Sequence, residues 1–347
     1  MSVEKQDILL HSLKEIKDFL AKNKEKEFRA KQIYEWLWKQ PVNSFDKMTN
    51  LSKDLRNLLK ENFVIRAVEI EDMQISKDKT IKLVFRLFDG ALVEGVLIPT
   101  DDRSTACISS QVGCNLGCEF CATGKLGLTR NLSVGEIFYQ VVEIMNLAKE
   151  KYNLPLTNIV LMGMGEPLLN YDNVLKAMGM VSSEKGLGMS PQRVTLSTVG
   201  LPRMIKKLAD DKVKFNLAIS LHSANNKKRS EFMPVNKRNS LEELSEAIVY
   251  FNEKTGHRVT FEYLLIDGIN DSLEDAKQLA EYCKSFPIKI NVIEYNSTSD
   301  KRFKKSSNEA FDQFVTFLKG RNMIVNVRRS RGMDIAAACG QLAGKRK

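Results

Sequence analysis

Cys107-Ile108-Ser109-Ser110-Gln111-Val112-Gly113-Cys114-Asn115-Leu116-Gly117-Cys118-Glu119-Phe120-Cys121 gathers four of the six cysteines of the 347-residue chain. Residues 105–109 read as a short strand, and Cys114, Cys118 and Cys121 follow as a C-x3-C-x2-C run. A closed zinc site takes four ligands, and no fourth Cys or His follows at short spacing; buried structural thiols are the other plain reading. Three closely spaced thiolates can also bind three irons of a 4Fe–4S cluster and leave the fourth iron open. An open iron is useful only where a substrate or cofactor ligates it. Phe120 and the strand-to-loop setting favour the cluster.

Downstream of this stretch a strand–helix rhythm begins. Strand candidates lie at 105–109, 158–162, 193–197, 215–221, 259–265, 289–294 and 324–328. Helical patterns at 133–149, 241–253, 273–284 and 309–319 fall between them, each with a polar starter and apolar three-four spacing. Such alternation predicts an α/β fold with a parallel sheet and right-handed crossovers, closed as a barrel or partial barrel. Gly163-Met164-Gly165-Glu166-Pro167, Ser197-Thr198, Ser220-Leu221-His222 and Asn296 all follow apolar strand bodies. In a parallel β/α barrel that is the ligand-binding face.

Upstream, residues 67–99 change to alternation, with 81–88 and 91–98 flanking Asp89-Gly90 as a predicted hairpin that Pro99 ends. Residues 1–66 read as helical. Leu9, Leu10, Leu13, Ile16 and Leu20 mark one stripe, Ile33, Tyr34, Leu37 and Trp38 another, and Ser52 ahead of Leu55, Leu58 and Leu59 a third helix start. This is either a plain helical bundle or an accessory domain that grips RNA.

The net charge is +10, and from Lys301 onward twelve Lys or Arg (the last three being Lys345, Arg346 and Lys347) face Glu309, Asp312 and Asp334. That is a solvated basic surface or a nucleic-acid footprint, and charge alone does not choose. No apolar run is long enough to cross a bilayer, and Met1-Ser2-Val3-Glu4-Lys5-Gln6-Asp7 lacks the features of a signal peptide. The expected location is the cytoplasm, where clustered cysteines mean metal or redox chemistry more often than staples. With only three histidines, at 11, 222 and 257, a multi-histidine metal centre is not expected.

The C-x3-C-x-F-C run resembles the signature of the radical S-adenosylmethionine superfamily. The resemblance narrows with Cys107 to Cys114, with Met162-Gly163-Met164-Gly165-Glu166-Pro167-Leu168-Leu169-Asn170, and with Arg331-Gly332-Met333-Asp334-Ile335-Ala336-Ala337-Ala338-Cys339-Gly340-Gln341-Leu342. These resemble the RlmN/Cfr family of RNA methyltransferases over roughly positions 94 to 344, and the amino-terminal region resembles that family's accessory domain more loosely.

The resemblance implies a partial (β/α)6 barrel over 100–347, a small helical accessory domain at 1–66 and a β-hairpin extension at 67–99. It implies one 4Fe–4S cluster on Cys114, Cys118 and Cys121 and two S-adenosylmethionine molecules per turnover, with cofactor contacts from Gly165, Glu166, Ser197, Ser220, Leu221, His222 and Asn296. Each contact residue beyond the Gly-Glu turn is otherwise a strand-end cap.

Carbon 2 of adenine lies between two ring nitrogens and is electron-poor, so transfer of a methyl cation finds no orbital partner and a radical route is needed. In the family a cysteine is methylated first, its S-methyl group becomes the radical that adds to the base, and a covalent enzyme–RNA adduct forms. By motif, Cys339 is the carrier, Cys107 the resolving thiol that ends in a disulfide with it, and Glu94 the proton acceptor, a role that Cys107 could itself fill. The plainer alternatives are a small buried residue in a mobile tail, a strand-core thiol and a solvent-facing strand glutamate. Cys283 reads as core.

The implied partners are 23S rRNA and tRNA and an electron donor such as a flavodoxin system, with no membrane and a monomeric chain. The implied targets are carbon 2 of adenine 2503 in 23S rRNA and of adenine 37 in some tRNAs. Pro167 and Arg331-Gly332 look more like that branch than the relatives that methylate carbon 8. A metal-stabilised RNA-binding protein without catalysis, and a radical enzyme of another subclass, are the competing readings.

Overall fold

A computed structural model of the chain describes residues 5–298 and 300–343; residues 1–4 and the basic Lys345, Arg346 and Lys347 lie outside the described residues. The amino-terminal layer contains β1 (Gln6–Asp7), α1 (Leu13–Lys22), α2 (Phe28–Trp38), α3 (Lys53–Asn62) and β2 (Phe63–Val64), with β1 and β2 paired in parallel. Ser12 starts α1 through a reciprocal cap: its hydroxyl accepts from the Glu15 amide while the Glu15 carboxylate accepts from the Ser12 amide. The apolar run from Leu9 is therefore not one helix. Leu10 lies in a single 3₁₀ turn ahead of the cap and is 61% exposed. Ser52 caps α3 as its position predicts.

The rest of the chain runs through β3 (Glu69–Ile75), β4 (Ile81–Arg86), β5 (Leu92–Pro99), β6 (Ser104–Cys107), β7 (Gln111–Cys114), β8 (Gly127–Asn131), α4 (Val134–Tyr152), β9 (Leu156–Leu161) and α5 (Tyr171–Ser182). It continues through β10 (Val194–Thr198), α6 (Pro202–Asp210), β11 (Asn216–Ser220), α7 (Asn226–Phe232), α8 (Leu241–Thr255), β12 (Val259–Leu265), α9 (Leu273–Tyr282), β13 (Ile288–Glu294), α10 (Asn308–Gly320) and β14 (Val325–Arg328). Serines 133, 240 and 272 each start a helix with the same reciprocal cap as Ser12, which is why the helix starts were readable.

One ten-stranded sheet runs in the order β14-β13-β12-β11-β10-β9-β6-β5-β4-β3. From β6 to β14 the pairs are parallel, and β5, β4 and β3 extend the sheet in antiparallel fashion. Six strand–helix units and a closing seventh strand give the partial barrel, open between β14 and β3. The hairpin turn is not the two-residue type. Leu87 donates to the Ala91 carbonyl at 2.9 Å around a three-residue loop, and Gly90, at φ +81°, supplies the left-handed residue that such a loop needs.

Two apolar cores result. The larger fills the space between sheet and helices and continues into the amino-terminal layer, where Trp38 packs edge-on against Phe138 at 4.9 Å. The smaller lies inside the barrel mouth and joins Cys118 and Phe120 to Phe232, Met233, Leu264, Tyr295 and Phe303. No helix among the described residues is long and apolar enough to cross a membrane.

Candidate active site

The cysteine loop hangs between β7 and β8. At Gly113, with φ +77°, a Cβ would stand 1.9 Å from the Gly127 carbonyl oxygen, so only glycine lets the two strands close just before Cys114. The Cys121 amide turns back to the Cys118 carbonyl at 3.1 Å, and Glu119 donates to Phe232 at 3.0 Å. Phe120 meets the His222 ring edge-on at 5.1 Å, pinning the loop to the end of β11. Burial lifts the Cys114 thiol to about 11 and lifts Cys118 further, and in both the charge of Cys121 adds to the rise. Among the described residues no three His, Cys, Asp or Glu side chains form a group suited to a metal ion. Three soft sulfur donors on one short loop are the donor set of an iron–sulfur cluster, where each thiolate takes its own iron.

The turn after β9 packs hard against the segment leading into that loop. Gly163 donates to the Ile108 carbonyl (3.0 Å), Ser110 to the Met164 carbonyl (2.8 Å), and the Glu166 amide to Gln111 Oε1 (2.8 Å). Gly165 has φ +98°, and a Cβ there would lie 2.5 Å from that of Gln111. The Glu166 carboxylate accepts from the Leu168 amide (3.0 Å) and the Val199 amide (2.9 Å), joining the ends of β9 and β10, and burial raises its pKa to about 7.

Ser197 and Ser220 occupy the ends of β10 and β11, and Leu221 is fully buried. His222 holds a left-handed φ of +57°, and its Nδ1 accepts from the Leu264 amide at 3.0 Å. Burial, helped by the Arg229 charge, drops its pKa to about 3, so it is a neutral ring that presents no proton at Nδ1. Asn296 donates to the Cys339 carbonyl at 3.4 Å, while its buried Oδ1 has no partner among the described residues. A buried acceptor left open beside the thiols fits a bound cofactor that carries donors.

Cys107 ends β6 and is buried; burial and then the charge of Cys339 push its pKa up to about 12. Cys339 is exposed at the surface of the segment that follows β14. Dehydration there lifts it to about 11, with Glu262 and Cys121 adding to the rise. The charge of Cys339 thus acts on Cys107, and that of Cys121 on Cys339. All six cysteines are free, so the disulfide implied by resemblance is not formed. Cys283 is core, as its sequence setting predicts.

Glu94 on β5 is only 2% exposed, not solvent-facing. Its carboxylate pairs with the buried Lys82 at 3.6 Å and accepts from the Ala343 amide at 2.9 Å, which ties it to the segment carrying Cys339. Sequence reasoning missed Lys82, Arg229 and Glu262, because each is defined by partners on other elements of the fold. The available signals were the charges Lys82 and Arg86 in the apolar run 81–88 and the isolated Glu262 in 259–265.

Comparison with known proteins agrees with this geometry. The Radical SAM superfamily model matches residues 108–283, and the model of the ribosomal RNA large subunit methyltransferase N-terminal domain matches residues 6–65. The fold and the thiol loop define a radical S-adenosylmethionine protein. A crystal structure of a radical SAM methyltransferase from Sphaerobacter thermophilus superposes with a TM-score of 0.93 at 40% identity, covering 98% of this chain and 100% of that one. A probable dual-specificity RNA methyltransferase RlmN from Cytophaga hutchinsonii is 55% identical over 99% of this chain and 94% of its own length. One of the same description from Flavobacterium johnsoniae is 51% identical over 99% of both. The chain belongs to the RlmN family.

Proposed function

We propose that this protein methylates carbon 2 of adenine in RNA, at adenine 2503 of 23S rRNA and adenine 37 of some tRNAs, with Cys339 as carrier, Cys107 as resolving thiol and Glu94 as proton acceptor. The observation that supports the reading is that the segment carrying Cys339 is hydrogen-bonded to the cysteine loop, Ala122 to Gly340 (2.8 Å) and Thr123 to Leu342 (2.7 Å), and that the charge of Cys339 acts on Cys107, distant in sequence. Cys114, Cys118 and Cys121 would hold a 4Fe–4S cluster, which would supply one-electron reducing chemistry to S-adenosylmethionine. Gly165, Glu166, Ser197, Ser220, Leu221, His222 and Asn296 would hold the cofactor, and the open Oδ1 of Asn296 would accept from it. Each turnover uses two cofactor molecules, one of them to methylate Cys339.

The chain's own groups do the rest. Cys339 rests as a neutral thiol and gives up its proton as it takes the methyl group. Its sulfur then carries the one-carbon unit to carbon 2, and Glu94, held by Lys82 and Ala343, receives the proton that carbon 2 loses. The adduct radical gives up one electron to the external redox partner as carbon 2 loses its proton. Cys107 then sheds its own proton and attacks the Cys339 sulfur. The carbon–sulfur pair passes to the one-carbon unit, which takes up a proton to become the methyl group, and the remaining disulfide is reopened by an external reductant. A flavodoxin-type donor, a monomeric chain and the cytoplasm, where the RNA is, belong to this reading. So does the division into an RNA-gripping domain (1–66), a hairpin extension (67–99) and a catalytic barrel (100–347).

The test is anaerobic turnover with RNA, read by mass spectrometry. Cys339→Ala should abolish transfer, and Cys107→Ala should trap a covalent adduct seen as a ribonuclease-sensitive protein band. Full turnover by Cys339→Ala sinks the carrier role, and a methyl group found solely on carbon 8 overturns the assignment to carbon 2.

A further inference from the structure

The inner wall of the barrel continues beyond the residues placed so far. Ser220 on β11 is in register with Glu262 on β12, Glu262 with Asn291 on β13, and Asn291 with Asn326 on β14. Side chains alternate across a sheet, so these four form one row. Their neighbours Phe261, Tyr263, Ile290 and Val292 belong to the outer core, while Leu264 packs with Cys118 and Phe120 inside. The row is wired in one direction: Asn326 Nδ2 donates to Asn291 Oδ1 (3.1 Å), and Asn291 Nδ2 donates to Glu262 Oε1 (2.7 Å).

Glu262 is 6% exposed, and its second carboxyl oxygen has no hydrogen bond among the described residues. Arg328, two positions past Asn326 on the same face, is exposed at the sheet's open edge and close enough to act electrically on both Glu262 and Cys339. A polar row inside a barrel is costly unless something uses it.

We propose that Glu262, Asn291, Asn326 and Arg328 form the subsite that receives the target nucleotide of the RNA, with Arg328 on a phosphate and the Glu262 end of the row on the purine edge. This rests on the methyltransferase reading and says where its substrate lies. A guanidinium at the solvent edge suits a phosphate, which S-adenosylmethionine lacks, and it disfavours a cationic sulfonium. An adenine edge offers an amino donor beside a ring-nitrogen acceptor, and a protonated carboxyl or an amide offers the matching pair. Burial raises the Glu262 pKa to about 7, so the protonated form is present at neutral pH. The row also stands within electrostatic reach of Cys339, which must touch the base.

The experiment uses the full chain with its cluster reconstituted. Binding is measured for a hairpin RNA carrying the target adenine and for the same hairpin with an abasic site there. The wild type should prefer the adenine hairpin by about tenfold or more, the discrimination expected of a paired base edge. Glu262→Leu should lose that preference, and Arg328→Gln should weaken both hairpins. In each variant the change that S-adenosylmethionine makes in the cluster's electron paramagnetic resonance spectrum should persist. Unchanged RNA preference in Glu262→Leu, or loss of that spectral response, overturns the subsite. If Glu262→Leu does not fold, the exposed Asn326→Ala tests the same row, with the same two outcomes. A wild type that produces no methylated adenine is a separate failure, of the function itself.

Discussion

A guanidinium sealed inside a protein ordinarily meets a carboxylate, but among the described residues Arg229 donates only to neutral oxygens. It donates to the carbonyls of Leu221 (3.0 Å), Val199 (2.6 Å) and Ser220 (3.3 Å) and to Asn236 Oδ1 (2.7 Å). Burial lowers its pKa to about 10, so it remains charged at neutral pH. Its position fixes the ends of β10 and β11, the strands that lead to Ser197 and to Ser220-Leu221-His222. Its charge favours the thiolate of Cys118 and disfavours an imidazolium at His222. Replacing it with methionine strands those acceptors, and the expected cost is about 2–4 kcal/mol. Urea unfolding of Arg229→Met should show this as a lower midpoint, with Arg229→Lys recovering part of it, since one ammonium cannot span four acceptors. A midpoint equal to that of the wild type would mean that the guanidinium does not hold the strands.

The segment that carries Cys339 behaves as a strap, fastened upstream to the β3–β4 turn and downstream to the cluster loop, to Glu94 and to residues 296–297. Upstream, Gly332 donates to Asp78 (2.9 Å), while Asp334 accepts from the Ser76 hydroxyl and the Lys77 amide, so the β3–β4 turn and the strap exchange bonds in both directions. Downstream, Ala122 donates to the Gly340 carbonyl (2.8 Å) and Thr123 to the Leu342 carbonyl (2.7 Å), which fastens the strap to the cluster loop. Between the fastenings Ala336 is held at φ +50°, a conformation that costs a non-glycine residue about 1 kcal/mol. Burial alone would raise the Asp78 pKa, but bonds from Thr80 and Gly332 outweigh it and bring it down to about 2; Asp334 is lowered by Ser76 and Lys77. A depressed carboxyl pKa gives stability that is fully present above the unfolded value near 3.8 and is lost as pH falls through the folded one. The upstream fastening is thus constant at neutral pH. The double variant Asp78→Asn, Asp334→Asn should loosen it there, raising amide hydrogen exchange over 332–343 and lowering the melting temperature by about a few degrees. Unchanged exchange would show that the strap is held from its other end. None of this was legible in the sequence, because the partners of Asp334 lie on a turn more than two hundred residues earlier. Local signals were read well: serine caps marked the helices, and the cysteine spacing marked the loop. Strand β3 was missed because Glu69, Glu71 and Asp72 break its apolar alternation, and a register shift between Ile70 and Asp72 breaks its period.

At the scale of the whole molecule, the sheet sets three buried titratable groups at one mouth, and their pH effects oppose one another. Burial raises Glu166 and Glu262 from 4.5 to about 7 and lowers His222 from 6.5 to about 3. A carboxyl with a raised folded pKa gives stability that is complete below 4.5 and is lost as pH climbs through 7. The buried neutral histidine works the other way, giving stability present above 6.5 and lost as pH falls toward 3. Between these limits two carboxyl protons outweigh one imidazole proton, so the cluster-free protein should lose stability from pH 5 to pH 7. Glu262→Gln isolates one share of that loss, since glutamine keeps the hydrogen bond from Asn291 and never ionises. Its stability relative to the wild type should therefore improve from pH 5 to pH 8 by up to about 3 kcal/mol, the free-energy equivalent of the shift. Melting curves of both proteins across that range give the answer directly. A gap between them that stays constant with pH would mean that Glu262 ionises freely, and that the inner wall is wetter than its burial implies.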